Sequence, residues 1–93
     1  MYLTAYHFDG PVDDLLTAYE RMLASMDTVT FQVCVRTVHG ISVYDGCPTA
    51  EIAQAFRTSP EFKAALAALG LPEPRIEPLG DVHRTVVSET VER

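Results

Sequence analysis

Residues 29–38, with the sequence VTFQVCVRTV, decide the fold because they carry the most regular pattern in the chain. Apolar side chains occupy every second position, namely Val29, Phe31, Val33 and Val35. The positions between them hold Thr30, Gln32, Cys34 and Arg36. Because successive side chains of an extended segment point to opposite faces, this alternation predicts a β-strand with one apolar and one polar face.

The segments around this strand predict a hairpin after it and a strand and helix before it. His39 and Gly40 separate it from the apolar residues 41–44, so we expect a tight hairpin with His39 in the turn. Residues 2–8 are rich in aromatic side chains and contain no breaker, which predicts a first strand. Apolar residues then recur at the spacing of an amphipathic helix, at Leu15, Leu16, Tyr19, Met22, Leu23 and Met26.

The second half of the chain predicts a helical region in two pieces and a last strand. Thr49 is a suitable N-cap for the first piece, and Ser59 followed by Pro60 starts the second. Gly70 is suited to end it. We expect the last strand to be centred on Val82–Val87, because Pro78 and Gly80 interrupt the segment before it.

The resulting order β-α-β-β-α-β predicts an α+β fold, the ferredoxin-like arrangement with a four-stranded antiparallel sheet in the order 4-1-3-2. In this arrangement the helices cover one face of the sheet. The other face would carry part of the apolar alternation and must be covered by something. A homodimer with two-fold symmetry is the economical solution, since that symmetry is the commonest among oligomers.

Composition excludes several classes of partner. The net charge of −6 repels phosphate backbones and anionic membrane surfaces, so we expect no nucleic-acid binding and no membrane association. No apolar run is long enough to span a bilayer, and the N-terminus lacks the features of a signal peptide. We therefore expect a cytoplasmic protein with one domain over residues 1–93, in which residues 88–93 form a polar tail that frays.

Three features resemble the dimeric α/β-barrel superfamily: residues 40–45 (GISVYD), a helical region with Phe56 and Phe62, and a final strand that holds His83. The chain is most similar to the antibiotic-biosynthesis-monooxygenase-like group, and within it to small uncharacterised actinobacterial members. The resemblance implies a homodimer whose sheets close into a barrel, with a pocket between sheet and helices. It also implies activities such as cofactor-free oxygenation of phenolic polyketides, polyketide cyclisation, haem degradation or lactone isomerisation.

The chain departs from that family in identifiable places. Many oxygenase members carry a Trp-containing motif after the third strand, but this chain has no Trp and holds Gly46-Cys47-Pro48 there. Haem-degrading members use a His on the second helix, and residues 49–69 contain none. The resemblance implies a reaction without a cofactor, because an electron-rich deprotonated phenol can itself react with oxygen. No metal is expected, since two cysteines and three dispersed histidines match no metal-ligand spacing.

His7 and His83 are the candidate catalytic residues. Strands 1 and 4 are antiparallel neighbours in this fold, so the two imidazoles could face one pocket. A neutral imidazole can act as a general base near pH 7. The alternative for each is a hydrogen-bonded or solvated histidine at a sheet edge.

Tyr6, Tyr44 and Arg36 are the candidate ligand-binding residues. A tyrosine hydroxyl can bind a substrate oxygen while the ring packs, although core filling is the favoured role for both tyrosines. Arg36 could hold an anionic group if the polar face of its strand meets the pocket. If that strand is an edge, Arg36 guards it against aggregation, which is the interpretation we favour.

Two residues near the end of the third strand have further alternatives. Cys47 precedes a helix start, which could lower its pKa, but no His adjoins it to support a nucleophile. Asp45 is expected to fix the loop after that strand, or to reach the mouth of a pocket.

The sequence thus predicts a small-molecule-binding dimeric α/β-barrel protein. If it is an enzyme, the resemblance implies a cofactor-independent monooxygenase or a cyclase that acts on an aromatic or polyketide-like substrate. The alternative is a non-catalytic sensor of a small ligand, or a structural dimer of a pathway complex.

Overall fold

A computed structural model of the protein describes residues 1–88. Within that range the elements follow one another in the order β1 (Tyr2–Asp9), α1 (Val12–Ala24), β2 (Phe31–Arg36), β3 (Gly40–Cys47), α2 (Ala50–Arg57), α3 (Pro60–Leu69) and β4 (Arg75–Asp81). The predicted fraying of residues 88–93 falls almost wholly outside the described residues.

The four strands form one antiparallel sheet in the order β2-β3-β1-β4, which confirms the predicted α+β, ferredoxin-like fold. The two central strands pair over their full length, with Tyr6 opposite Val43 and His7 opposite Ser42. β2 pairs with β3 and β4 pairs with β1, so β2 and β4 are the edges.

The strand register assigns each side chain to one of two faces. The side that packs against the helices, called the helix face below, carries Thr4, Tyr6, Phe8, Ile41, Val43 and Asp45. The opposite side, called the open face, carries Ala5, His7, Ser42 and Tyr44. Since Cys34 pairs with Val43 and Val33 with Tyr44, the polar side of β2 meets the helices and the valine side lies on the open face.

The helix boundaries follow the local signals that the sequence carries. The Thr49 and Ser59 hydroxyls accept hydrogen bonds from the backbone N–H groups of Ile52 and Phe62, each at 3.2 Å. Gly70 ends α3 in the left-handed conformation. The predicted break near Ser59 is therefore confirmed, and it divides the second helical region into α2 and α3.

The last strand lies earlier than predicted. β4 is Arg75–Asp81, whereas Val86 and Val87 follow it outside any strand and are exposed. Pro78 is tolerated because β4 is an edge strand, where one side of the backbone needs no partner. The ladder shifts register between Leu3 and Thr4, and Gly80 takes a φ of 143° in the same region.

Gly40, the first residue of β3 after the β2–β3 hairpin, lies close to the backbone of β1. A Cβ atom at that position would clash with the backbone oxygen of Phe8. Thr37 and Gly40 close the turn, so Val38 and His39 are its two loop residues. The predicted hairpin is confirmed, one residue earlier than the expected pair His39 and Gly40.

Among residues 1–88, no helix has both the length and the apolar character needed to cross a membrane.

Candidate functional site

A cavity of about 220 Å³ lies between the helix face of the sheet and the helices. Its wall is almost wholly apolar. The large apolar side chains that line the cavity include Tyr6, Phe8, Val43, Met22, Phe56 and Phe62. An apolar cleft with a few polar groups is the usual form of a small-molecule site.

Tyr6 is the predicted site residue that the structure places in this cavity. The residue is 4% exposed, and its ring packs edge-to-face on Phe62 with centroids 5.5 Å apart. Its hydroxyl is buried and has no hydrogen-bond partner among the described residues. Burial raises the pKa of Tyr6, and the nearby charge of Asp45 adds to the rise, so the phenol stays protonated.

Asp45 also lines the cavity, where a chain of hydrogen bonds holds its carboxylate. The Tyr19 hydroxyl donates to Gln32 Oε1 at 2.6 Å, and Gln32 Nε2 donates to Asp45 Oδ1 at 3.1 Å. The Cys47 thiol donates to Asp45 Oδ2 at 3.4 Å. Burial raises the pKa of Asp45, while the bonds from Gln32 and Cys47 lower it in part.

Cys47 is not activated as a nucleophile. Burial, followed by the charge of Asp45, raises the pKa of the Cys47 thiol to about 11. The suggestion that the start of α2 lowers this pKa is therefore wrong, because burial and the adjacent carboxylate outweigh the helix terminus.

His7 lies on the open face, away from the cavity. Its Nδ1 is 2.7 Å from Ser42 Oγ, and its Nε2 is 3.0 Å from Glu77 Oε1. A carboxylate only accepts, so the proton of the bond to Glu77 lies on Nε2. The ring also stands perpendicular to that of Tyr44, with centroids 6.4 Å apart.

His83 does not meet His7. It is exposed and follows the end of β4, where Val82 N–H bonds to the Met1 carbonyl. His7 pairs instead with Arg75 at the opposite end of β4. The expectation that the two imidazoles share one pocket is wrong, because β4 is Arg75–Asp81 rather than Val82–Val87.

Tyr44 and Arg36 also lie outside the cavity. Tyr44 is half-buried on the open face, opposite Ala5 and Val33. Arg36 lies at the end of an edge strand, 71% exposed, and its Nη1 is 3.7 Å from Asp13 Oδ1. That position fits a solvated guard of the edge strand.

In comparisons with known proteins, no family model, no curated protein and no solved structure matches the chain.

The sequence-based hypotheses cover only part of the polar side of the cavity. One of the two alternatives for Asp45, a carboxylate that reaches a pocket, agrees with its place in the cavity wall, although Asp45 lies within β3 and not in the loop after it. The contribution of Gln32 was not predicted. The sequence showed that Gln32 shares a strand face with Cys34, and Asp45 with Val43. No local signal showed that this face of the sheet meets the helices. Among residues 1–88, no group of three or more His, Cys, Asp or Glu side chains could hold a metal ion.

Proposed function

We propose that this protein binds a small aromatic or apolar molecule in the cavity between its sheet and its helices. The observation that supports this is an apolar cleft with a hydrogen-bonded polar pair in its wall, Gln32 and Asp45, which can orient a ligand. Apolar burial would supply most of the affinity and the polar groups the orientation. An apolar cavity of about 150 Å³ is known to hold benzene, so this one accommodates a ligand of one or two rings.

The proposed assembly is a homodimer of the dimeric α/β-barrel type. The proposed family is the antibiotic-biosynthesis-monooxygenase-like group, and the proposed location is the cytoplasm. The element order, the sheet order and a cavity between sheet and helices support this family. Val33 and Val35 on the open face are 42% and 40% exposed, and a second copy would bury them.

A non-catalytic binder or sensor is the form of this proposal that we favour. For oxygenation or cyclisation of an aromatic substrate, the general base that the sequence suggests is an imidazole, from His7 or His83. The described cavity wall offers the carboxylates of Asp45 and Glu61 but no imidazole. Catalytic roles for His7 and His83 stay a prediction, and the two residues would have to act separately.

The test is calorimetric titration of the protein with indole, a neutral aromatic probe. We expect saturable binding, which the substitution Ala65→Phe weakens by roughly tenfold or more because the new ring fills the cavity. Ala64→Phe is the matched control, since Ala64 is exposed on the same helix and does not line the cavity. Absence of binding, or equal loss in both variants, would contradict the proposal. Oxygen uptake with a bound phenol would favour the enzyme instead.

A further inference from the structure

The ionisable groups of the cavity wall have one sign. Asp45 and Glu61 contribute carboxylates, and within residues 1–88 no Lys, Arg or His lines the cavity. The whole chain carries a net charge of −6, which adds to the same field. Arg57 is an opposing charge: it lowers the pKa of Tyr6 against the larger effect of burial, and its Nη1 is buried without a hydrogen-bond partner within residues 1–88, but it does not line the cavity. An anionic ligand is therefore disfavoured and a cationic one is attracted.

Asp45 has capacity for a further donor. Each of its oxygens accepts one hydrogen bond from the protein, from Gln32 and from Cys47. A carboxylate has about four lone-pair sites, so the site is not saturated. Because Gln32 is itself held by Tyr19, the carboxylate is fixed in place before any ligand arrives. A positive charge beside it would offset the cost of its burial.

A second, independent feature of the cavity is aromatic. The ring of Tyr6 lines it and packs edge-to-face on Phe62, with centroids 5.5 Å apart. Aromatic rings also line the cavity, with Phe56 and Phe62 stacked at a tilt and centroids 4.7 Å apart. Ring faces attract a cation as well as an apolar ring.

We propose that the ligand of this cavity is a small aromatic amine, bound as its ammonium ion, with the amine against Asp45 and the ring among Phe56 and Phe62. This inference rests on the proposed function, because it names the chemical class of the molecule that the cavity takes. Gln32 and Tyr19 are positioning residues, which hold the carboxylate in the geometry that receives the amine.

Three indole probes test the proposal: tryptamine, tryptophol and indole-3-propionate. In each, the same two-carbon spacer joins the ring to the polar group. They end in an ammonium, a hydroxyl and a carboxylate respectively. Calorimetry should show that tryptamine binds roughly tenfold tighter than tryptophol, the factor that a charge-assisted hydrogen bond typically contributes, and that indole-3-propionate binds weakest.

The variant Asp45→Asn keeps the shape of the side chain and removes its charge. It should bring tryptamine to within about threefold of tryptophol and leave tryptophol binding nearly unchanged. Glu51→Gln is the matched control, because it makes the same change in net charge at an exposed position of α2 outside the cavity wall. It should preserve the preference for tryptamine.

The outcomes separate this inference from the proposed function. If the protein binds neither tryptamine nor tryptophol, the proposed function fails. If it binds both equally, or if Glu51→Gln lowers tryptamine affinity as much as Asp45→Asn does, the amine assignment is overturned while the cavity remains a binding site. The comparison of probes uses the unaltered protein, so it stays decisive even if Asp45→Asn folds poorly.

Discussion

At the scale of single residues, Asp45 affects more of its surroundings than any other charge near the cavity. Its carboxylate raises the pKa of both Tyr6 and Cys47, in each case as an addition to burial. Its own pKa is raised by burial, against the hydrogen bonds from Gln32 and Cys47. Burial and this carboxylate together therefore favour the neutral forms of the Tyr6 phenol and the Cys47 thiol.

The raised pKa predicts that the Cys47 thiol is alkylated slowly. In a Cys34→Ala background, alkylation of Cys47 by iodoacetamide at pH 8 should run about a hundredfold slower than that of an exposed thiol, because only the thiolate reacts and its pKa is about 11. Asp45→Asn should speed the reaction, since removal of the negative charge favours the thiolate and lowers the thiol pKa. Mass spectrometry against pH measures both rates.

Glu51→Gln serves again as the control, because it lies outside the contact with Cys47 and should leave the rate unchanged. A half-maximal alkylation rate near pH 9 in the parent protein would show that burial and Asp45 do not govern this thiol.

At the scale of elements, β4 shows where sequence rules mislead. Pro78 and Gly80 argue against a strand, and the valines at 82, 86 and 87 argue for one. Both arguments assume that a strand has neighbours on each side. β4 is an edge that pairs only with β1, so it accepts Pro78 and a shift of register, and it buries Ile76 against the core instead of the later valines.

Paired substitutions at Ile76 and Val86 test this placement. Ile76→Ala should lower the free energy of unfolding by about 2 kcal/mol, because the side chain packs on the core cluster from within β4. Val86→Ala should change it by less than about 0.5 kcal/mol, because Val86 is 54% exposed and outside any element. Urea denaturation measures both. If Val86→Ala lowered the free energy of unfolding more than Ile76→Ala does, the last strand would lie at Val82–Val87, as the sequence pattern predicts.

At the scale of the whole molecule, the open face is the part of the fold that the chain leaves half covered. Its centre is filled by the chain's own side chains, with Ala5 fully buried and Ser42 6% exposed beside the ring of His7. The β2 edge of this face is less well covered, because Val33 and Val35 are 42% and 40% exposed among the described residues. The proposed homodimer would place this edge against its counterpart.

Light scattering tests the homodimer. The protein should have a mass near twice 10.3 kDa, and Val33→Glu should lower the mass toward that of one chain because it introduces a charge into an apolar contact. Val38→Glu is the matched control, since Val38 is 95% exposed in the hairpin loop and should leave the dimer intact. A monomeric parent protein would remove the dimeric barrel, and the cavity within one chain would remain to be judged by indole binding.

The sequence by itself determined the local structure of this protein. The alternation through Phe31–Arg36, the helical spacing from Leu15 and the caps at Thr49 and Ser59 depend on neighbouring residues, so they were predictable, and the order of elements then narrowed the fold. The cavity was not predictable, because it depends on which face of each strand meets the helices. A shift of one residue in strand register moves every side chain to the other face, so only the tertiary pairing placed Asp45 beside Tyr6 and turned His7 away.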